Sequence, residues 1–256
     1  MVLEEKTFWE HLDDLRKSLF KIAICVGVCF VVCFALKDTL FSIVLFPKQK
    51  EFITYSLLGV VPTKINLIST EIAGQMMMHL KTAFVAAIVL ASPYIIWVLF
   101  SFIAPALYEK ERKYSLSTVV LAYLMFILGA LINYFIIFPI TVNFLASYQV
   151  AGEVSNLLTL QSYMNTLMMM TLVFGIVFEI PILSWLLAKI GILKSSFMKN
   201  YRKHAIVIIL IAAAIITPTS DIFTLSIVFL PIWLLYEASI VVVKQVERKN
   251  KRISIN

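Results

Sequence analysis

The sequence has little charge and a large excess of apolar residues. Of its 256 residues only 14% are charged, whereas 61% are hydrophobic, and the mean hydropathy is +0.94. A soluble domain is about half apolar and roughly a quarter charged. Since the apolar residues also come in long runs, lipid must surround much of the chain. This composition excludes a secreted disulfide scaffold, a nucleic-acid-binding domain and a disordered linker.

Catalytic and metal-binding motifs are missing as well. None of the seven glycines directly precedes a lysine, so there is no P-loop, and G-x-S-x-G and H-E-x-x-H are both absent. The three histidines are far apart in the sequence. Cys25, Cys29 and Cys33 share one helix face but have no His or carboxylate neighbours, so they are expected to be packing residues. The sequence therefore predicts no enzyme activity, no cofactor and no metal site.

What the sequence does have is six apolar stretches. They cover residues 19–36, 82–104, 114–138, 167–188, 205–219 and 222–243. A helix needs about 20 residues to cross a bilayer, and the first four stretches meet this length. The fifth has 15 residues and the sixth is purely apolar over only 15, which predicts two short spans, with a re-entrant hairpin as the alternative. Continuous apolarity without alternation favours helices over a β-barrel.

Basic residues lie mainly on one side of these spans. The N-terminal segment, the second and fourth connections and the C-terminal tail together hold sixteen Lys and Arg, against four on the other side. By the positive-inside rule, both termini are predicted to be cytoplasmic, which requires an even number of spans. Asp221 stands at the turn between the last two stretches, where burial in lipid would be costly, so two spans are favoured over a hairpin.

The ends of the chain are predicted to be polar parts of one membrane domain, residues 1–256. An apolar stripe in residues 1–18 predicts an amphipathic surface helix on the cytoplasmic side, and residues 244–256 form a basic cytoplasmic tail. Five acids before the first span disfavour a cleaved signal peptide, whose start would be basic. Glu71, Gln75 and His79 are spaced to share one face of a helix that extends the second span.

Glu179 is predicted to lie in the middle of the fourth span. A carboxylate there costs about 2.5 kcal/mol or more, so it should face protein or a wet cavity. Pro181 removes a backbone donor and predicts a kink. Glu179 is either a polar link between helices or a functional site for a partner or a proton, and both interpretations stay open. Glu111, taken alone, belongs to a solvated run of charges in the second connection.

Seven segments in order resemble the TatC family of the twin-arginine translocase. They are HLDDLR at 11–16, SP at 92–93, FIAPALY at 102–108 with ER at 111–112, YF at 134–135 with FP at 138–139, FEIP at 178–181, TP at 217–218 with the acid at 221, and LYE at 235–237. Each segment is weak by itself. Seven in order, on the expected spans and sides, are specific, and they cover nearly the whole chain.

The resemblance implies an all-α protein of the cell membrane, a concave bundle of six transmembrane helices with two short C-terminal spans. It implies a receptor for folded precursor proteins whose signal peptides carry consecutive arginines. Two cytoplasmic acids of the family receive the arginines, and they fall on Asp14 and Glu111 here. The remaining residues of this implied signal-peptide site are Leu12, Arg16, Phe102 and Arg112.

The resemblance also implies partners and an energy source. Single-span subunits of the TatA and TatB type dock at the last two spans, where Thr217, Asp221 and Glu237 are the implied contacts, in a homo- and hetero-oligomeric assembly driven by the proton gradient. Glu179 matches the intramembrane acid of the family. Membrane lipids are the other expected partner, and nucleic acid is not. The sequence departs from the family at Asp14, which is commonly Glu, and in the turn before Asp221, which has lost a proline and gained a residue.

Two other functions are weaker. A proton-coupled small-solute transporter with Glu179 as the proton carrier would be expected to show internal repeats, and the sequence has none. An intramembrane hydrolase would need a nucleophile beside a base, and no such constellation is found.

Overall fold

The computed structural model describes residues 8–59, 61–63, 65–103, 115–148, 157–217 and 221–253. Within these ranges almost every residue is helical. The helices are α1 (Phe8–Ala35), α2 (Lys37–Leu45), α3 (Ile53–Leu58), α4 (Gly74–Ile103), α5 (Ser115–Ile132), α6 (Phe138–Ser147), α7 (Leu160–Val177), α8 (Ile180–Lys189), α9 (Ser195–Asn200), α10 (Arg202–Ile216) and α11 (Ile222–Ile253). A 3-10 turn (Phe46–Lys48) precedes α3, and a π-helical segment (Asn133–Ile137) joins α5 to α6. Two-residue strands β1 (Leu67–Ile68) and β2 (Leu158–Thr159) pair in parallel.

Five stretches of these helices are long and apolar enough to cross a membrane. They are Leu12–Ala35, Gly74–Phe102, Leu116–Ser147, Leu160–Lys189 and Ile222–Lys249. The protein is therefore a mostly helical, multi-pass membrane protein, as the sequence predicted. The helix of the predicted fifth span, α10, has 15 residues, or about 22 Å, which is shorter than a bilayer core. The count of six spans thus depends on α10 and stays a prediction.

The two ends of the described chain differ from the expectation. The amphipathic segment and the first span are one uninterrupted helix, α1, since no proline or glycine interrupts the helical pattern where they meet. The last span was expected to be short, but α11 is 32 residues long and continues through most of the basic tail. Lys, Arg, Gln and Glu are good helix formers, and Val246 is buried in this extension. Only α10 is short.

The long connection between the first two spans is folded onto the bundle. Phe52, fully buried, lies with its ring centroid 5.6 Å from that of Phe135 in the π-helical segment. The Tyr55 hydroxyl donates to the Pro47 carbonyl oxygen at 2.8 Å, and the Tyr134 hydroxyl donates to Ile43 at 2.6 Å. Burial raises the pKa of Tyr55 to about 12, so this hydroxyl stays protonated to a higher pH than an exposed tyrosine does. The first of these bonds satisfies a carbonyl of the buried Pro47 that would otherwise lack a donor.

One detail of this connection was predicted wrongly. Glu71 does not share a helix face with Gln75 and His79, because α4 begins only at Gly74. After β1 ends at Ile68, residues 71–73 form a bend and a turn, and the helix starts only behind them.

Candidate functional site

Helices α1 and α4 pack side by side in opposite directions. The ring centroids of Phe30 and Phe84 are 6.4 Å apart, and His79 Nε2 lies 3.1 Å from the Phe34 carbonyl oxygen. Asp14 precedes Phe30 by 16 residues and Phe102 follows Phe84 by 18, which places them about 24 Å and 27 Å from this level, towards the same end. The start of α1 and the last turn of α4 therefore lie at the same end of the bundle.

The implied site residues on α1 differ in their exposure. Leu12 and Arg16 are exposed, and the Arg16 guanidinium lies 5.7 Å from the centroid of the Phe20 ring. Asp14 is half-buried, whereas its neighbour Asp13 is exposed and pairs with Lys17 at 2.9 Å. Two adjacent carboxylates thus stand in different surroundings, and the more buried one is the one implied by the resemblance.

The rest of the implied signal-peptide site lies on or next to the end of α4. Phe102, half-buried, is in the last turn of that helix. Glu111 and Arg112 lie outside the described residues, in the segment 104–114. The described residue that precedes this segment, Ile103 at the end of α4, lies at the end of the bundle where Asp14 is found.

Glu179 lies at the break between α7 and α8. Its backbone N–H donates to the Ile176 carbonyl oxygen at 3.0 Å. Pro181 stands in the first turn of α8, so the helix is interrupted next to this proline, where the sequence predicted a kink. Its Oε1 atom is buried and has no hydrogen-bond partner among the residues that the structure describes. A buried acceptor without a donor is costly, so a donated hydrogen bond or a proton at this oxygen would stabilise the site.

Helices α5 and α7 are closely packed beside this break. A Cβ atom on Gly129 would overlap the Phe174 carbonyl oxygen, and one on Gly175 would lie 2.6 Å from the Phe126 ring. One turn from these glycines, the buried Asn133 donates to the Thr171 hydroxyl at 3.0 Å. Sequence reasoning missed this contact, although two glycines inside apolar helices were a signal for close helix packing.

The residues implied for partner contact all make bonds within the chain. The Thr217 hydroxyl, buried, donates to the Ala213 carbonyl oxygen at 3.0 Å. Asp221 caps the start of α11, where its Oδ1 accepts the backbone N–H of Thr224 at 2.8 Å. Glu237 Oε2 accepts from Arg202 Nη2 at 2.6 Å, which ties α11 to the start of α10.

The chain matches the family described as Sec-independent protein translocase protein (TatC) over residues 10–231. It belongs to the TatC family. The match includes the α1, α4 and α7–α8 residues described above, and it ends within α11.

Proteins that match this chain over nearly its full length belong to the same family. The TatC protein of Blattabacterium sp. subsp. Periplaneta americana is 34% identical over 260 residues, covering 96% of this chain and 97% of that protein. The TatC protein of Helicobacter pylori is 37% identical over 236 residues, covering 92% and 87%. A crystal structure of a twin-arginine translocase receptor, TatC, superposes with a TM-score of 0.80 at 29% identity, covering 93% of this chain and all (100%) of that one.

Membership of the TatC family decides the general function. The protein is a membrane component of the Sec-independent, twin-arginine protein translocase, and such a component is not an enzyme.

A contact at the C-terminal end of this TatC family member was not expected from the sequence. Glu247, on the extension of α11, accepts the backbone N–H of Ser195 at 3.0 Å and also the Ser195 hydroxyl. The Tyr236 hydroxyl donates to the Met198 carbonyl oxygen at 2.8 Å. The helical extension is therefore packed against α9 rather than projecting alone.

Proposed function

We propose that this chain is the receptor component of the twin-arginine translocase in the cell membrane, with both termini in the cytoplasm. It binds the signal peptides of folded precursor proteins through Asp14 and Glu111. The observation that carries this proposal is the packing of α1 against α4 in opposite directions. This packing brings half-buried Asp14 to the end of the bundle where α4 ends, before the segment containing Glu111.

The chemistry of the two acids suits consecutive arginines. A guanidinium group presents a planar fork of donors that matches a carboxylate in paired, charge-assisted hydrogen bonds, which lysine cannot reproduce. Phe102 and Leu12 lie at the same end, the former in the last turn of α4 and the latter exposed on α1. They offer apolar surface to the residues that flank the arginines.

We also propose where single-span subunits of the TatA and TatB type dock. The short helix α10 and the first part of α11 form a hairpin. Thr217 and Asp221 lie at its turn, and Glu237 lies at its open end, beside Arg202. The Arg202–Glu237 pair is partly exposed, so a partner helix can reach it. In this assembly the Oε1 atom of Glu179, which has no hydrogen-bond partner among the described residues, accepts a hydrogen bond from a partner or takes up a proton. The proton gradient supplies the energy for export.

The binding proposal is tested with carboxylate variants and a matched control. Asp14→Ala and Glu111→Ala should each abolish or strongly reduce export of a twin-arginine reporter, since each removes one receptor for a guanidinium group. Asp13→Ala removes the same charge one residue away, from a side chain already paired with Lys17, and should leave export intact. Export is measured by protease protection of the reporter, and immunoblots of membranes check that each variant inserts.

Two outcomes contradict the proposal. The first is normal export by the double variant of Asp14 and Glu111. The second is an equal loss of export in all three single variants, which would indicate a general effect of charge. The comparisons with known proteins lend no support to the small-solute transporter, for which uptake that disappears in Glu179→Gln would be needed.

A further inference from the structure

A groove opens between α5, α8 and α11. Its volume is about 540 Å³, within the range of roughly 300–1,000 Å³ that is typical of small-molecule sites. It is formed by the ends of three of the candidate spans, which begin at Leu116 or end at Lys189 and Lys249. The groove therefore lies at the level where the bundle meets the membrane surface.

The side chains of this groove have two distinct characters. Its floor is apolar and includes Leu121, Met125, Ile182 and Val242. Its rim carries two lysines, Lys189 and Lys249, together with the polar side chains of Ser117 and Gln245. No acid is found among the described residues that line it. An apolar floor beneath a cationic rim is complementary to an amphipathic anion.

Trp185 marks the boundary between the two parts. Its ring lies half-buried in the groove wall, and the Lys189 ammonium is 5.7 Å from the ring centroid. Tryptophan is enriched at the level of lipid headgroups, and a lysine at the end of a span extends its ammonium towards the phosphates. This pair fixes the expected depth of a phosphate at the rim.

We propose that this groove binds one anionic phospholipid from the cytoplasmic leaflet. An acyl chain lies on the apolar floor and the phosphate lies at the lysine rim, as expected for basic pockets between helices on this side of a membrane. The leaflet follows from the orientation proposed above, whereas binding itself does not depend on signal-peptide recognition. A small inorganic anion would leave the apolar floor empty, so the acyl chain is part of the recognition.

The proposal is tested by native mass spectrometry of the purified full-length protein. Phosphatidylglycerol and phosphatidylcholine with identical acyl chains are titrated separately. The wild type should retain one phosphatidylglycerol more tightly than phosphatidylcholine. Lys249→Gln should weaken phosphatidylglycerol retention about fivefold, which corresponds to the contribution of one basic residue near a lipid surface. Lys249 is exposed, so this variant is expected to fold.

Lys244→Gln is the matched control. Lys244 is an exposed lysine of the same helix that does not line the groove, so its loss should leave retention unchanged. Photoactivatable phosphatidylglycerol should crosslink to peptides containing Leu121, Met125 or Ile182, and excess inorganic phosphate should not compete. Equal weakening by both lysine variants, equal retention of the two lipids, or crosslinks elsewhere only would each overturn the proposal. Because no export is measured, failure here is distinguishable from failure of the receptor function.

Discussion

The contact between α5 and α7 predicts a large effect for one added methyl group. In Gly129→Ala the new Cβ would overlap the Phe174 carbonyl oxygen and lie 2.8 Å from Phe178 Cγ. The first of these atoms belongs to the backbone, so the methyl group can be accommodated only if the two helices move apart. The break that carries Glu179 begins at Phe178, directly beside this contact.

The magnitude follows from two opposing contributions. Forcing an extra methyl group into a close-packed interior costs about 1–3 kcal/mol, and a backbone neighbour places Gly129→Ala near the upper end. Alanine recovers about 1 kcal/mol of helix propensity relative to glycine. We therefore expect a net loss of about 2 kcal/mol in the free energy of unfolding.

Two further glycines allow the effect of Gly129→Ala to be compared with that of the same substitution in looser surroundings. At Gly175 the first atoms met belong to the Phe126 ring, at 2.6 Å, and a ring can turn, so Gly175→Ala should cost less. At Gly27 no atom lies within 4 Å of an added Cβ in the described chain, so Gly27→Ala should be neutral or should stabilise by up to about 1 kcal/mol.

The assay is unfolding of the purified protein in mixed micelles of increasing SDS content, followed by circular dichroism. Stability should rank Gly27→Ala above Gly175→Ala, and Gly175→Ala above Gly129→Ala. A Gly129→Ala variant as stable as Gly27→Ala would refute the reasoning, because the helices would then have room that the structure does not show.

Two other substitutions test contacts outside the bundle. Tyr55→Phe leaves the Pro47 carbonyl without its donor and should destabilise by about 1–3 kcal/mol, seen as faster hydrogen exchange in residues 46–58. Since the folded-state pKa of Tyr55 is raised to about 12, wild-type stability should fall as the pH rises from 10 to 12, and this part of the fall should be absent in Tyr55→Phe. Glu247→Ala should expose the Ser195 amide to exchange, whereas Arg248→Ala, at an exposed neighbour, should not; equal protection in both variants would contradict this role.

Much of the architecture could be predicted from the sequence. Each of the first four apolar runs lies for most of its length within a helical stretch long enough to cross a membrane, because lipid offers no hydrogen bonds to the backbone and helices satisfy its polar groups within one segment. The boundaries were less predictable. Amphipathic residues before the first run and basic residues after the last continue the helices α1 and α11, since polar residues are also good helix formers.

The candidate site was predictable only in part. The resemblance assigned Asp14, Glu111 and Phe102, and the packing of α1 on α4 places Asp14 and Phe102 at one end. The roles of Asp221 as a helix cap and of Glu237 as a partner of Arg202 were not foreseen. An acid near the end of a span is compatible with a cap, an internal pair or an external contact, and periodicity does not distinguish them.

By itself, the sequence determined that much of the chain lies in a membrane and which family its ordered motifs resemble. That the basic segments face the cytoplasm stays a prediction of the positive-inside rule. These properties follow from composition and from short local patterns. Only the tertiary structure decided that Asn133 meets Thr171 and that Glu247 meets Ser195, pairs separated by 38 and 52 residues. Such contacts depend on how whole helices pack, and close packing of side chains is a property of the assembled bundle rather than of any one segment.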